Sequence, residues 1–171
     1  MKKVVVLLIG VFFLMATGFA QKFAFVDTEY ILKNIPSYKA AQEKLDKLSE
    51  QWQKEVEDAY KEVEKMDKDY QSEKILLSEQ LRQKREDEIL NKEKEARNLQ
   101  KKYFGPEGEL FKKRQELIKP IQDEVYKAIK ELAIEGNYTA IFDSSSDGAL
   151  LYSDPKADKS DAVLQKLGYK N

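Results

Sequence analysis

AQEKLDKLSEQWQKEVEDAYKEVEKMDKDY, residues 41–70, carries apolar side chains at Ala41, Leu45, Leu48, Trp52, Val56, Ala59, Val63, Met66 and Tyr70. They advance 29 residues in eight steps, about 3.6 per step, which is the pitch of an α-helix. The stripe is narrow, and Lys, Glu, Gln and Asp fill most of the rest of the circumference. Such a helix buries one edge against a single partner helix, as in a coiled coil, and not against a globular core.

Further along, a weaker stripe runs Leu81, Ile89, Lys92, Ala96, Leu99 and Tyr103, interrupted by Lys92 and the flanking Glu88. Short β-branched or aromatic runs bound this helical stretch: residues 22–27 (KFAFVD) before it, 138–143 (YTAIFD) and 149–153 (ALLYS) after it. They predict three strands, the last two closed as a hairpin by Ser144-Ser145-Ser146-Asp147-Gly148. A final helix is expected from Asp161 to Leu167, with Ser160 as its cap and Gly168 as its stop. If the first two strands share a sheet, the helical excursion must end near its start and its arms must match. The midpoint between Asp27 and Tyr138 falls near Arg82. A turn at Gly105-Pro106-Glu107-Gly108 would instead leave the arms mismatched by about 65 Å at 1.5 Å per residue. The reversal is therefore expected near Ile75-Leu76-Leu77-Ser78, with Ser78 capping the returning helix. A bulge or kink is expected at Gly105–Gly108, a kink at Pro120 and a helix end at Gly136-Asn137.

The predicted fold class is mainly α with a small β body: a long antiparallel helical hairpin, a coiled-coil arm, projecting from a three-stranded sheet that oligomerises. Residues 21–37 and 120–171 form the β-rich body, and residues 38–119 form the arm, with its tip near 75–79. A body of 17 and 52 residues is marginal alone. Phe23, Phe25, Ile141, Phe142, Leu150, Leu151 and Tyr152 make its strands apolar on both faces, so cover from other copies is expected.

The 171-residue chain has no His and no Cys. Ser-His and Cys-His nucleophiles, disulfides and zinc sites built from N and S ligands are thereby excluded. Carboxylate pairs such as Asp67/Asp69 and Glu86/Asp87 stand one or two positions apart on a helix, where side chains do not converge. No Gly-rich loop followed by Lys-Ser/Thr is present. Neither an enzyme nor a cofactor or metal requirement is expected.

Residues 1–20 read as a signal peptide: Lys2-Lys3, an apolar run from Val4 to Met15, and small residues ending at Ala20, after which cleavage is expected. The run falls short of the ~20 residues that span a bilayer. No cysteine follows it, which excludes a lipoprotein, and no second apolar stretch provides an integral membrane segment. Without Lys2 and Lys3, 28 basic side chains face 31 acidic ones, a formal charge of −3. That balance offers no footprint for nucleic acid.

The chain resembles the Skp/OmpH-like periplasmic chaperones. The resemblance is carried by residues 22–27 with Ile31-Leu32, by Leu76-Leu77-Ser78-Glu79, and by the stretch from Pro120-Ile121 through Ala128-Ile129 to Gly136-Asn137-Tyr138. It continues through Ile141-Phe142-Asp143, Leu150-Leu151-Tyr152 and Asp161-Ala162-Val163-Leu164. It implies a periplasmic homotrimer whose three helical arms enclose a cavity and hold unfolded outer-membrane proteins without ATP. The family's archetype is strongly basic, whereas this chain is slightly acidic, which speaks against lipid or lipopolysaccharide binding.

A holding protein needs dispersed apolar contacts in a charged surround. Trp52, Tyr60, Tyr70, Ile75, Leu76, Leu77, Tyr103 and Phe104 are the candidate client-binding residues, and the seven apolar strand residues above are the candidate oligomer interface. A different class of function, a structural coiled-coil spacer or adaptor of the cell envelope, fits the same periodicity.

Overall fold

The structure is a computed structural model that describes residues 21–145 and 152–169. The expected signal peptide lies outside the described residues, as do Leu150, Leu151 and most of the expected third strand. Tyr152 and Ser153 are described and are not in a strand. The elements run β1 (Phe23–Val26), α1 (Thr28–Lys33), α2 (Pro36–Glu73), α3 (Glu79–Phe104), α4 (Glu109–Leu117), α5 (Lys119–Glu135), β2 (Ala140–Asp143), a 3₁₀ turn (Pro155–Ala157) and α6 (Ser160–Lys166). The chain is mainly helical with a small sheet. It divides into two compact units, one running through Ile31 and resuming at Tyr126, the other Leu32–Val125.

In the first unit β1 and β2 pair in parallel, with Phe23 opposite Ala140, Ala24 opposite Ile141, Phe25 opposite Phe142 and Val26 opposite Asp143. Alternation along β1 sends Ala24 and Val26 into the interior, where Ile31, Ala128, Val163 and Leu164 are also buried. The opposite face carries Phe23, Phe25 and Phe142, with ring centroids 6.1 and 5.8 Å apart. The sheet has two strands among the described residues, plus a single parallel bridge from Phe25 to Asp158 in which the Lys159 N–H reaches the Phe25 carbonyl at 2.8 Å.

A polar cluster locks the ends of these elements together. The Asp27 carboxylate accepts the Tyr30 N–H at 2.8 Å and so caps α1. Asp143 accepts the Thr28 N–H at 3.2 Å, the Thr28 hydroxyl at 2.6 Å and the Ser145 N–H at 3.0 Å. Ser160 is 3% exposed; its hydroxyl accepts the Asp27 N–H at 2.8 Å and donates to Asp158 at 2.6 Å. Ser160 is therefore the first residue of α6 and not its cap, because its hydroxyl is committed to the end of β1. At the far end Gly168 adopts φ 87°, and the Tyr169 N–H reaches back to the Leu164 carbonyl at 2.9 Å, which stops the helix as expected.

In the second unit the stripe of residues 41–70 is buried or half-buried throughout. Its first turns, Ala41 and Leu45, pack with Ile118 in a small core flanked by Tyr38, Leu110, Leu117 and Ile121. Pro36 opens α2 at a position where its missing donor costs nothing. Pro120 stands in the first turn of α5; Ile118, the one residue between α4 and α5, keeps φ −96° and ψ −41°, and the Gln122 N–H reaches its carbonyl at 3.1 Å, so the expected kink is a one-residue interruption of the helical path. Gly105–Gly108 is likewise a turn between α3 and α4. A Cβ on Gly105 would lie 2.4 Å from the Lys101 carbonyl oxygen, and one on Gly108 would lie 2.7 Å from that of Tyr103. Only glycine fits a turn this close to the preceding helix.

Replacing Ser160 with Ala would leave the Asp27 N–H unpaired. The expected loss is about 1–3 kcal/mol, read as a lower urea midpoint with unchanged slope. An unchanged midpoint would mean that the cluster follows the fold and does not hold it.

Candidate functional site

Between α2 and α3 every cross-pair joins a residue before the turn to one about equally far after it, so the helices run antiparallel. Near the turn the Tyr70 hydroxyl donates to Glu86, Arg85 pairs with Glu73 at 3.8 Å, and Lys92 bridges Glu62 at 3.7 Å and Glu95 at 3.3 Å. Farther away the Tyr60 hydroxyl donates to Gln100 at 3.1 Å and the Tyr103 hydroxyl to Glu55 at 2.5 Å. Trp52 stacks on Tyr103 at 5.0 Å with the rings 7° from parallel, and Phe104 meets Tyr103 edge-on at 6.4 Å. Tyr70, Tyr103, Val56 and Ala96 are buried. Lys92, which breaks the apolar pattern, is half-buried and works in the seam as a cross-helix ion pair.

The candidate residues thus separate. Tyr70 and Tyr103 are consumed by the seam, while Trp52 and Tyr60 are half-buried beside it. Ile75 and Leu76 are 86% and 87% exposed at the turn between α2 and α3, with Leu77 half-buried behind them and Phe104 39% exposed at the end of α3. Ser78 occupies the cap position of α3 by its backbone, with its carbonyl accepting the Arg82 N–H at 2.9 Å, but its hydroxyl makes no capping bond. The returning stripe also shifts near the turn. Leu81 is half-exposed, and Arg82 takes the inward position seven residues before Ile89. Sequence reasoning missed Leu90 and Phe111 as exposed apolar side chains, although each stands out against charged neighbours.

In the other unit Phe23 and Phe142 are 45% and 49% exposed on the aromatic face of the sheet, Phe25 and Ile141 are half-buried, and Tyr152 is exposed. Among the described residues no three side chains of metal-ligating type converge, and no helix is long and apolar enough to cross a membrane.

Titration follows the same contacts. The Tyr103 hydroxyl, then Gln51, hold the Glu55 carboxyl below its ordinary 4.5 against partial desolvation. The bond to Glu86 comes first among the causes that push Tyr70 up to about 12.

The family model "Outer membrane protein (OmpH-like)" matches residues 22–167. An uncharacterized protein of Aquifex aeolicus is 32% identical over 150 residues, 88% of each chain. Among solved structures, one described as a candidate outer membrane chaperone (OmpH-like) from Caulobacter crescentus CB15 shares the fold with a TM-score of 0.66. It is 13% identical, and the match covers 88% of this chain and 85% of that one.

Because the folded-state pKa of Glu55 lies below its unfolded value, its contribution to stability is present above about pH 4.5 and lost as pH falls through the folded value. Tyr103→Phe removes the largest cause. The thermal midpoint of the variant, followed by circular dichroism, should fall less between about pH 5 and pH 3 than that of the parent. Parallel acid limbs would assign the dependence to other carboxylates.

Proposed function

Because the chain belongs to the OmpH-like outer membrane protein family, we propose that it is a periplasmic holdase chaperone that binds unfolded outer-membrane proteins and keeps them soluble without ATP. One observation carries this reading: two large aliphatic side chains, Ile75 and Leu76, stand 86% and 87% exposed at the end of a helical hairpin whose other surfaces are mostly polar or charged. An ordinary hairpin turn uses polar residues, since each aliphatic left in water forgoes about 1.5–3 kcal/mol of burial. Here the turn offers that burial to another chain. Leu81, Leu90, Phe104 and Phe111, each 39–50% exposed, extend the offer along the returning side.

The surrounding charge is of both signs, and part of it is paired along the helices, as in Lys61 with Glu57 at 2.6 Å on α2 and Lys113 with Glu116 at 2.6 Å on α4. A surface of such pairs keeps a loaded complex in solution and attracts no particular charge on the client. Contact is therefore apolar and weak at each point, and gripping by several copies raises it through effective concentration. The aromatic face formed by exposed Phe23 and Phe142 with half-buried Phe25 supports self-association, and a homotrimer is the assembly we propose.

Serine at Ile75, Leu76 and Leu77 together should weaken binding of a urea-unfolded outer-membrane β-barrel protein by at least about 2 kcal/mol, some 30-fold, without altering oligomeric state. Binding by the parent should change little between low and about 0.15 M salt. A steep salt dependence with an inert triple variant would favour electrostatic capture. Failure to suppress aggregation of any unfolded β-barrel protein would favour a spacer.

Phe142→Asp places a charge on the aromatic face and should shift the assembly to smaller species in sedimentation equilibrium at micromolar concentration. A parent protein that is already monomeric there would remove the trimer from the account.

A further inference from the structure

A turn bearing Ile75 and Leu76 has every reason to collapse. Aliphatic side chains on a flexible loop fold back onto the nearest apolar surface, and Leu77 and Tyr70 lie within a few residues. The turn instead holds them outward. Its backbone is fixed at both ends: the Lys74 N–H reaches the Tyr70 carbonyl at 2.8 Å, the Leu76 N–H the Glu73 carbonyl at 2.9 Å, and the Arg82 N–H the Ser78 carbonyl at 2.9 Å. Side-chain pairs such as Arg85 with Glu73 also cross the turn, but Arg82 reaches its backbone. Arg82 Nε, from the first turn of α3, donates to the Lys74 carbonyl at 2.9 Å, filling an acceptor that the end of α2 leaves open. Its guanidinium also lies 3.8 Å from Glu79. Arg82 is the most covered of the neighbouring cations, with its side chain 35% exposed against 46% for Lys74 and 50% for Arg85. It stands where the inward stripe of α3 would place an apolar residue, so its long stem packs while its donor crosses the turn.

We infer that Arg82 is a positioning residue for the client contact: its Nε bond to the Lys74 carbonyl pre-organises the turn so that Ile75 and Leu76 project as a rigid apolar prong. This rests on the reading that the prong holds unfolded polypeptide. Rigidity matters because a collapsed turn must first give up its own packing before a client can touch it, and an ordered one does not. The recognised chemistry is an extended apolar segment of an unfolded chain, engaged by two aliphatic side chains whose backbone does not move.

The test uses replacements matched atom for atom along the stem. Arg82→Gln keeps an N–H donor at the position of Nε without the charge, while Arg82→Met keeps the length and loses the donor. Each purified protein is titrated with a urea-unfolded, fluorescently labelled eight-stranded membrane β-barrel protein, and amide exchange is followed at Ile75–Ser78. The Met variant should bind about five- to tenfold more weakly and exchange faster at the turn, with helix content and oligomeric state unchanged. The Gln variant should recover most of both. Equal weakening by Met and Gln would give the effect to charge and overturn the inference, as would parental binding and exchange in the Met variant. The Ile75/Leu76/Leu77 serine variant, titrated alongside, separates the two readings. If it binds as the parent does, the prong is not the contact, whatever the exchange at the turn shows about Arg82.

Discussion

Parallel pairing of β1 with β2 is the constraint from which the rest of the chain follows. A parallel partner cannot be reached by a tight turn, so everything between Val26 and Ala140 must leave the sheet and return to it. Helices make that excursion with the fewest unsatisfied backbone groups. Closure then requires the outward and return paths to match: α2 has 38 residues, and α3 and α4, which follow the reversal, have 26 and 9. The turn at Ile75-Leu76 divides that path into runs of similar length.

A hairpin so made has a seam about one side chain wide. Val56, Ala96, Tyr70 and Tyr103 are buried in it, and burial on that scale stabilises two long helices only modestly. Polar groups make up the difference. Tyr70 with Glu86 and Tyr103 with Glu55 each pair an aromatic that fills the seam with a hydroxyl that reaches across it. Lys92 does the same with a charge. Such pairs are directional, so they also fix the register of α2 against α3, which a stripe of aliphatics alone would leave free to slip.

The hairpin and its reversal could be read from the sequence because both are properties of spacing: a 3.6-residue period from Ala41 to Tyr70, and equal path lengths on either side of the turn. What escaped depended on partners far away in the chain. Ser160 has the composition of a helix cap, yet its hydroxyl is claimed by the Asp27 backbone, 133 residues distant. Pro120 needed no distant partner: its missing N–H interrupts the helical path at Ile118, and the helix resumes at Lys119. Lys92 and Arg82 interrupt the apolar pattern, and only the opposite helix shows that each is used there. Of the candidate contact residues, Tyr70 and Tyr103 stand on the two apolar stripes, a position that favours seam packing, whereas Ile75 and Leu76 stand at the expected turn with less to pack on. Ser78 satisfied the rule for a cap, yet its hydroxyl makes no capping bond.

On the proposed reading this hairpin differs from a simple spacer in the two aliphatic side chains, Ile75 and Leu76, exposed at its turn. Photo-crosslinking measures that difference. A photoreactive phenylalanine analogue at Leu76, and in a separate protein at the exposed Lys54 near the middle of α2, would be illuminated with an unfolded membrane β-barrel protein bound. The account predicts adducts predominantly from position 76. Equal or greater yield from position 54 would place the client along the charged flank of the hairpin and contradict it.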